Sequence, residues 1–246
     1  MADDAEDDAP VKVPFRIHTA RGVLEASVQT TRAPIPVVDV VGAARGLDDA
    51  LIGLALQQAE AEGAPATCRR GCTACCHHPV PLSPAEAHAL AAQIAGMPEA
   101  RREAVEARFA AVREQVRAAG LLEALEGTLQ GGELPVGAYL AARIPCPLLE
   151  DGACSIYADR PLACREHLVS SDPPACSEPG SPAVRAVPLL ARLARALTRV
   201  SAEAWPAAPA RIPLLVAPGW ARAHAAEAGV RRGGVALLER LLSELR

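Results

Sequence analysis

Cys68-Arg-Arg-Gly-Cys72-Thr-Ala-Cys75-Cys76 places four thiols within nine positions of a 246-residue chain that has eight cysteines in all. A soft divalent ion or an iron–sulfur cluster needs several thiolates from a compact loop, and two short spacings supply them without strain. Gly71 gives the turn the backbone freedom a chelating loop requires. Four buried thiols packing as small apolar groups is the bland alternative, and clustering around a glycine argues against it.

Working outward, the remaining thiols lie in a second group. It runs Cys146-Pro-Leu-Leu-Glu-Asp-Gly-Ala-Cys154, then Arg160-Pro-Leu-Ala-Cys164-Arg165, then Cys176, in a segment rich in Pro, Gly and Asp. Before the first group, residues 46–62 carry Leu47, Leu51, Leu54 and Leu56 at helical spacing and stop at Gly63. After it, Ser83-Pro84-Ala85-Glu86 reads as a helix start, with Ser83 as the cap, Pro84 at the first helical position and Glu86 completing a capping box. A longer amphipathic helix is expected over about 98–119, with Val105, Phe109, Val112 and Val116 facing inward. One or two shorter helices follow in 121–143, broken near Gly131-Gly132. Three more are expected near 186–200, 213–228 and 234–245, with Pro188 and Pro213 close to two of the starts. Residues 13–30 read as a hairpin turning at Ala20-Arg21-Gly22. The fold class is mainly α: an irregular helical bundle around a cysteine-rich loop region, with a small N-terminal β-hairpin. Residues 1–12 are assigned to a disordered acidic tail, 13–45 to the hairpin and a linker, and 46–246 to the helical cysteine-cluster domain, with its motif core at 68–176.

Half of the residues are hydrophobic, enough to bury a sizeable core, while only 2% are aromatic; an Ala- and Leu-rich apolar fraction favours helix. The formal net charge is −4, and five acids (Asp3, Asp4, Glu6, Asp7, Asp8) account for it, leaving a body close to neutral. Such a body has no electrostatic footprint for nucleic acid. The acidic start lacks the basic and apolar regions of a secretory signal, and no uncharged stretch is long enough to span a bilayer. A cytoplasmic location is therefore expected, where thiols stay reduced. Eight cysteines there imply metal ligands or redox groups instead of disulfides.

The two groups together resemble the YkgJ-like "CxxCxxCC" cysteine-cluster family of zinc- or iron-chelating domains. The resemblance is carried by Gly71-Cys72, Cys75-Cys76, Pro81-Leu82-Ser83 with Glu86, Cys146-Pro-Leu-Leu, Asp151-Gly152, Cys154-Ser155-Ile156-Tyr157, Arg160-Pro161 and Cys164-Arg165. One departure is that three residues, not two, separate Cys68 from Cys72. The resemblance implies metal binding and leaves substrate and protein partner undefined. Cys68-x3-Cys72-x2-Cys75 also equals the spacing of radical-SAM enzymes, but no strand–helix alternation accompanies it, and Ala74 stands where an aromatic is usual.

The candidate ligands are Cys68, Cys72, Cys75, Cys76, Cys146, Cys154, Cys164 and Cys176, holding an iron–sulfur cluster or zinc. Neighbouring side chains diverge from the backbone, so Cys75 and Cys76 are not expected to serve one ion alike. Cys164 is the donor expected to complete a site with the first group; a separate site of Cys146, Cys154, Cys164 and Cys176 is the alternative. His77, His78 and His167 are possible nitrogen donors or ordinary half-exposed residues, and Arg165 is the cation expected to offset thiolate charge. Three function classes compete: an iron–sulfur protein with a redox or catalytic role, a zinc-stabilised interaction module, and an enzyme modifying a protein partner. The last requires a polar pocket beside the cluster.

Overall fold

The computed structural model describes residues 7–19 and 22–245. Chain order is β1 (Pro10–Thr19), β2 (Gly22–Thr31), β3 (Pro34–Pro36), α1 (Val40–Ala61), β4 (Pro81–Leu82), α2 (Pro84–Ala95), α3 (Glu99–Ala118), α4 (Leu122–Gly127), α5 (Val136–Ala141), β5 (Leu149–Glu150), β6 (Ala153–Cys154), α6 (Leu162–Arg165), α7 (Leu193–Ala204), β7 (Ile212–Pro213), α8 (Ala217–Ala223), β8 (Arg231–Gly233) and α9 (Gly234–Ser243). The molecule is mainly helical with an N-terminal antiparallel strand pair, as the sequence pattern implies. β1 and β2 pair from Pro10 opposite Thr31 to Thr19 opposite Gly22. The expected turn residues Ala20 and Arg21 lie outside the described residues, as do residues 1–6 of the expected tail. Among the described residues no helix is long and apolar enough to cross a membrane.

Two apolar cores share the helices. In the first, Val13 and Ile17 of the hairpin close over Val41, Ala44, Leu47 and Leu51 of α1, Leu193, Leu197 and Val200 of α7, and Leu237, Leu238 and Leu241 of α9. In the second, Leu82, Leu90 and Ile94 meet Val105, Val112 and Val116 of α3, Leu125 of α4, and Ile212, Leu214 and Trp220. Helix α2 lies between them: Ala85 faces the first core while Ala87 and Leu90 face the second. That double burial explains its sequence, in which small alanines surround two large apolar residues. Its start matches the sequence reading closely. Ser83 accepts the Glu86 N–H, Glu86 accepts the Ser83 N–H, and Pro84 stands in the first turn.

Three departures from sequence have physical causes. Phe109 is half-buried and Leu54 exposed, at the margins of stripes whose centres are buried. Helix α7 begins at Leu193, well after Pro188, because residues 184–187 run extended against the cysteine loop, with Val187 N–H donating to Leu168 O at 2.9 Å. Pro213 does not open a helix: it sits in β7 opposite Pro81, with Ile212 opposite Leu82, and α8 starts only at Ala217.

Candidate metal centre

The cysteines occupy two irregular segments, one leading from α1 into α2 and the other running from α5 to α7. Gly71 adopts a φ of 88°, a left-handed conformation that suits glycine. It allows Cys72 N–H to reach back to Arg69 O at 2.9 Å. Residues Ala74–His77 then form a 3₁₀ turn carrying Cys75 and Cys76. In the second segment Asp151 and Gly152 both have positive φ, the requirement of a tight two-residue hairpin turn, and β5 and β6 pair across it with Leu149 opposite Cys154.

Backbone bonds stitch the segments together. Cys146 N–H donates to Cys76 O at 2.7 Å. Thr67 N–H reaches Val169 O at 2.9 Å, and its hydroxyl donates to Ser171 O at 2.6 Å. Val169 N–H donates to Cys68 Sγ at 3.4 Å. The 3₁₀ turn Pro173–Ser177 lies against the turn that holds Cys75, with Ser177 Oγ 3.4 Å from Ala74 O. Both histidines beside the first cluster are committed to carbonyls: a ring N–H is needed for His77 Nδ1 to meet Arg143 O at 3.1 Å and for His78 Nε2 to meet Cys176 O at 3.0 Å. His167 stands with its ring 5.8 Å from that of His78. Burial, and then the neighbouring His78 and Arg192, hold it below the usual histidine range.

All eight thiols are free. Seven of them are influenced by other thiols of the centre, and the pattern is specific. Cys176 is pushed up to about 11 by burial and then by Cys75, Cys68 and Cys72. Burial likewise raises Cys68, with Cys72 and Cys75 as its thiol neighbours. Cys146 is pushed up to about 12 by burial, with Cys154 and Cys75 adding to the shift. Cys164, half-buried, is raised by burial and then by Cys146, Cys75 and Cys154. Cys76 donates its S–H to Cys75, which lowers Cys75 and raises Cys76; Cys146 and Cys164 also bear on Cys76. Cys75 thus faces thiols from both segments. Among the described residues no three Cys, His, Asp or Glu side chains close into a shell that could hold an ion. The thiols are neighbours whose charges interact. The donor set itself, all sulfur with no carboxylate facing it, is chemically suited to zinc or to iron–sulfur chemistry.

The cation of the centre is Arg160, not Arg165. Arg160 bears favourably on the thiolate forms of Cys68, Cys75, Cys154 and Cys164. It lies over the Tyr157 ring at 4.2 Å, a platform that aims it at the sulfurs. Arg165 is buried and turned away, donating to Asp49, to Ala158 O and to Arg160 O. Sequence reasoning selected the arginine adjacent to a cysteine; the Arg160-Pro161 pair, after an aromatic, was the signal for the other.

Two buried acids place the loop that carries Cys164. Glu86 Oε1 accepts Leu162 N–H at 2.9 Å, capping α6 from a distance of 76 residues in sequence. Glu166 Oε1 accepts Ala194 N–H at 2.7 Å and so caps α7. Burial raises both carboxyls, partly offset by these same bonds.

Beside the centre lies an open cleft of about 500 Å³. Arg69, Cys72, Thr73, Arg143, Ser177 and Glu178 line it, with Pro173 and Pro174 on the same rim.

This is a helical protein with a thiol-rich loop centre, the class that chelates soft metals. Residues 67–179 match the model of the CxxCxxCC family, described as a "Putative zinc- or iron-chelating domain". No curated protein and no solved structure matches the chain.

Proposed function

We propose that the chain holds metal through its cysteine thiolates in two sets of four, each drawing on both segments. Cys68, Cys72, Cys75 and Cys176 form one set; Cys76, Cys146, Cys154 and Cys164 form the other. The observation that carries this reading is the neighbourhood of Cys176, whose interacting thiols are Cys75, Cys68 and Cys72 and none from its own segment. The division assigns Cys75 and Cys76, whose sulfurs touch through the Cys76 S–H, to adjoining sets. Cys164, expected to complete a site with the first group, interacts with Cys146 and Cys154 and also with Cys75 and Cys76 of that group, so the second set draws on both segments through it.

Four thiolates suit a tetrahedral zinc or a [4Fe–4S] cluster. A bound metal would supply either a redox-silent brace or an electron-transfer centre. The chain's own residues bring the sulfurs together and place Arg160 to offset their charge, and α6, fixed by Glu86, carries Cys164. Free thiols in this density belong to a reducing compartment, which supports a cytoplasmic location. The test is elemental analysis with a visible absorption spectrum on protein purified without air. Stoichiometric iron with colour, or zinc without it, supports the reading. Metal-free protein in which all eight thiols titrate overturns it.

A further inference from the structure

We infer that the cleft beside Cys72 is a binding site for a small molecule bearing a carboxylate or phosphate, held by Arg69 and Arg143 next to the metal centre. The inference rests on the reading of Cys72 as a metal ligand for its placement, though not for the binding itself.

Arg69 and Arg143 line the cleft, and among the described residues neither side chain makes a hydrogen bond or ion pair. Many other arginines of this chain are satisfied: Arg101 and Arg108 by Glu150, Arg240 by Glu203, Arg165 by Asp49, and Arg231 by a backbone carbonyl. Among the described residues Glu178 is the one acid lining the cleft, and it accepts the Ser181 hydroxyl at 3.2 Å, so that lining carries a net positive charge. Thr73 adds a neutral hydroxyl to the same wall, and Ser177, whose hydroxyl donates to Ala74 O, adds an acceptor oxygen. A guanidinium presents a planar fork that matches the two oxygens of a carboxylate or phosphate. Two such forks on the lining of one cleft, outnumbering its acid, suit an anion.

Arg143 follows the end of α5 at φ 52°, the left-handed conformation that commonly closes a helix, with its N–H donating to Leu140 O at 3.0 Å. Its carbonyl meets the His77 ring at 3.1 Å. The 3₁₀ turn that carries Cys75 and Cys76 therefore touches the backbone of the cleft's second arginine. The volume of about 500 Å³ falls within the range of small-molecule sites, about 300–1,000 Å³, and is too small for a macromolecular partner. An occupant would lie against Cys72, in reach of whatever that thiolate holds. This is the polar pocket beside the cluster that a catalytic or ligand-sensing role demands and a purely structural zinc module does not.

Isothermal titration calorimetry on protein purified without air, with inorganic phosphate and with malonate as separate probes, tests the inference. One-to-one binding of either probe is expected. Arg69→Gln and Arg143→Gln should each weaken it about tenfold or more while leaving metal content unchanged. Phosphate binding alone assigns a phosphorylated ligand, and malonate alone a carboxylate. If neither probe binds at millimolar concentration, or both variants bind like the wild type, the inference is wrong. Arg69 lies in an exposed loop, so its variant reports even if Arg143→Gln fails to fold. Metal-free protein that binds a probe through both arginines upholds the anion site and overturns the metal reading. Metal-loaded protein that binds neither does the reverse.

Discussion

The helical body and the cysteine layer are held together by different forces. In the body, Leu193, Leu197 and Leu241 are wholly buried against one another and against Val40, Val41 and the hairpin. Its stability comes from apolar burial, worth roughly 1.5–3 kcal/mol for each large side chain removed from water. The cysteine layer has few such contacts. Its apolar anchors are Leu148, Ile156, Leu162, Leu168 and Val187. Its course is set by polar ties: Cys146 to Cys76, Thr67 to Val169 and Ser171, Glu86 to Leu162. Apolar burial dominates one region. Backbone hydrogen bonds set the course of the other, where the thiols lie.

Removing the metal should widen that difference most. A chelator is expected to expose residues 67–79 and 145–187 to protease well before α7 and α9, with several kcal/mol of the layer's stability lost. Limited digestion followed by mass spectrometry checks this; one digestion pattern for treated and untreated protein would show that the layer does not depend on metal.

Truncation of the body should act in the opposite sense. Leu197→Ala leaves a cavity in the first core and is expected to lower global stability by about 2–5 kcal/mol, read from the denaturant midpoint. Metal content measured at low temperature should stay at the wild-type level.

Glu86→Ala tests the join between the regions. It strands the Leu162 and Ser83 N–H groups, which are buried, and should cost about 2–3 kcal/mol. The effect should appear first as loosening around Cys164, detected by faster hydrogen exchange in 160–168 than in α3.

A smaller, pH-dependent effect is expected inside the body, at Asp48 of α1. Burial, reinforced by the Glu166 carboxylate, pushes its pKa up to about 7; Asp49 and Glu86 add to this, while Arg165 opposes it. Among the described residues its Oδ2 has no hydrogen-bond partner. The native state therefore holds this proton more tightly than the unfolded chain. The contribution to stability is fully present below about pH 4 and is lost as pH rises through about 7. Asp48→Asn should raise stability at pH 8 by on the order of 1–3 kcal/mol and change it little at pH 4. Thermal melts of both proteins at the two pH values decide the matter.

The same contrast governs what was legible in the sequence. The body could be read because its signals are local: the Ser83-Pro84-Glu86 start of α2, the apolar stripe of α3 and the hairpin alternation each lie within a few residues. The late start of α7 could not be read, because its cap is Glu166, 28 residues away, and its first expected turn is drawn into pairing with residues 168–170. In the cysteine layer the concentration of thiols is legible, and which of them the packed turns bring together is not. Sequence distance associates Cys176 with Cys164, whereas the packed turns Ala74–His77 and Pro173–Ser177 associate it with Cys68, Cys72 and Cys75. Arg160 was passed over for the same reason: its role depends on the Tyr157 ring beneath it, a relation in space.

The most direct test of the account is metal content and absorption spectrum in three single variants, Cys72→Ala, Cys176→Ala and Cys164→Ala, each purified without air. Two mixed sets predict that the Cys72 and Cys176 variants lose the same half of the metal and the same spectral feature, while the Cys164 variant keeps that half and loses the other. If the Cys176 variant instead matches the Cys164 variant, the sets follow the sequence segments and the assignment is wrong.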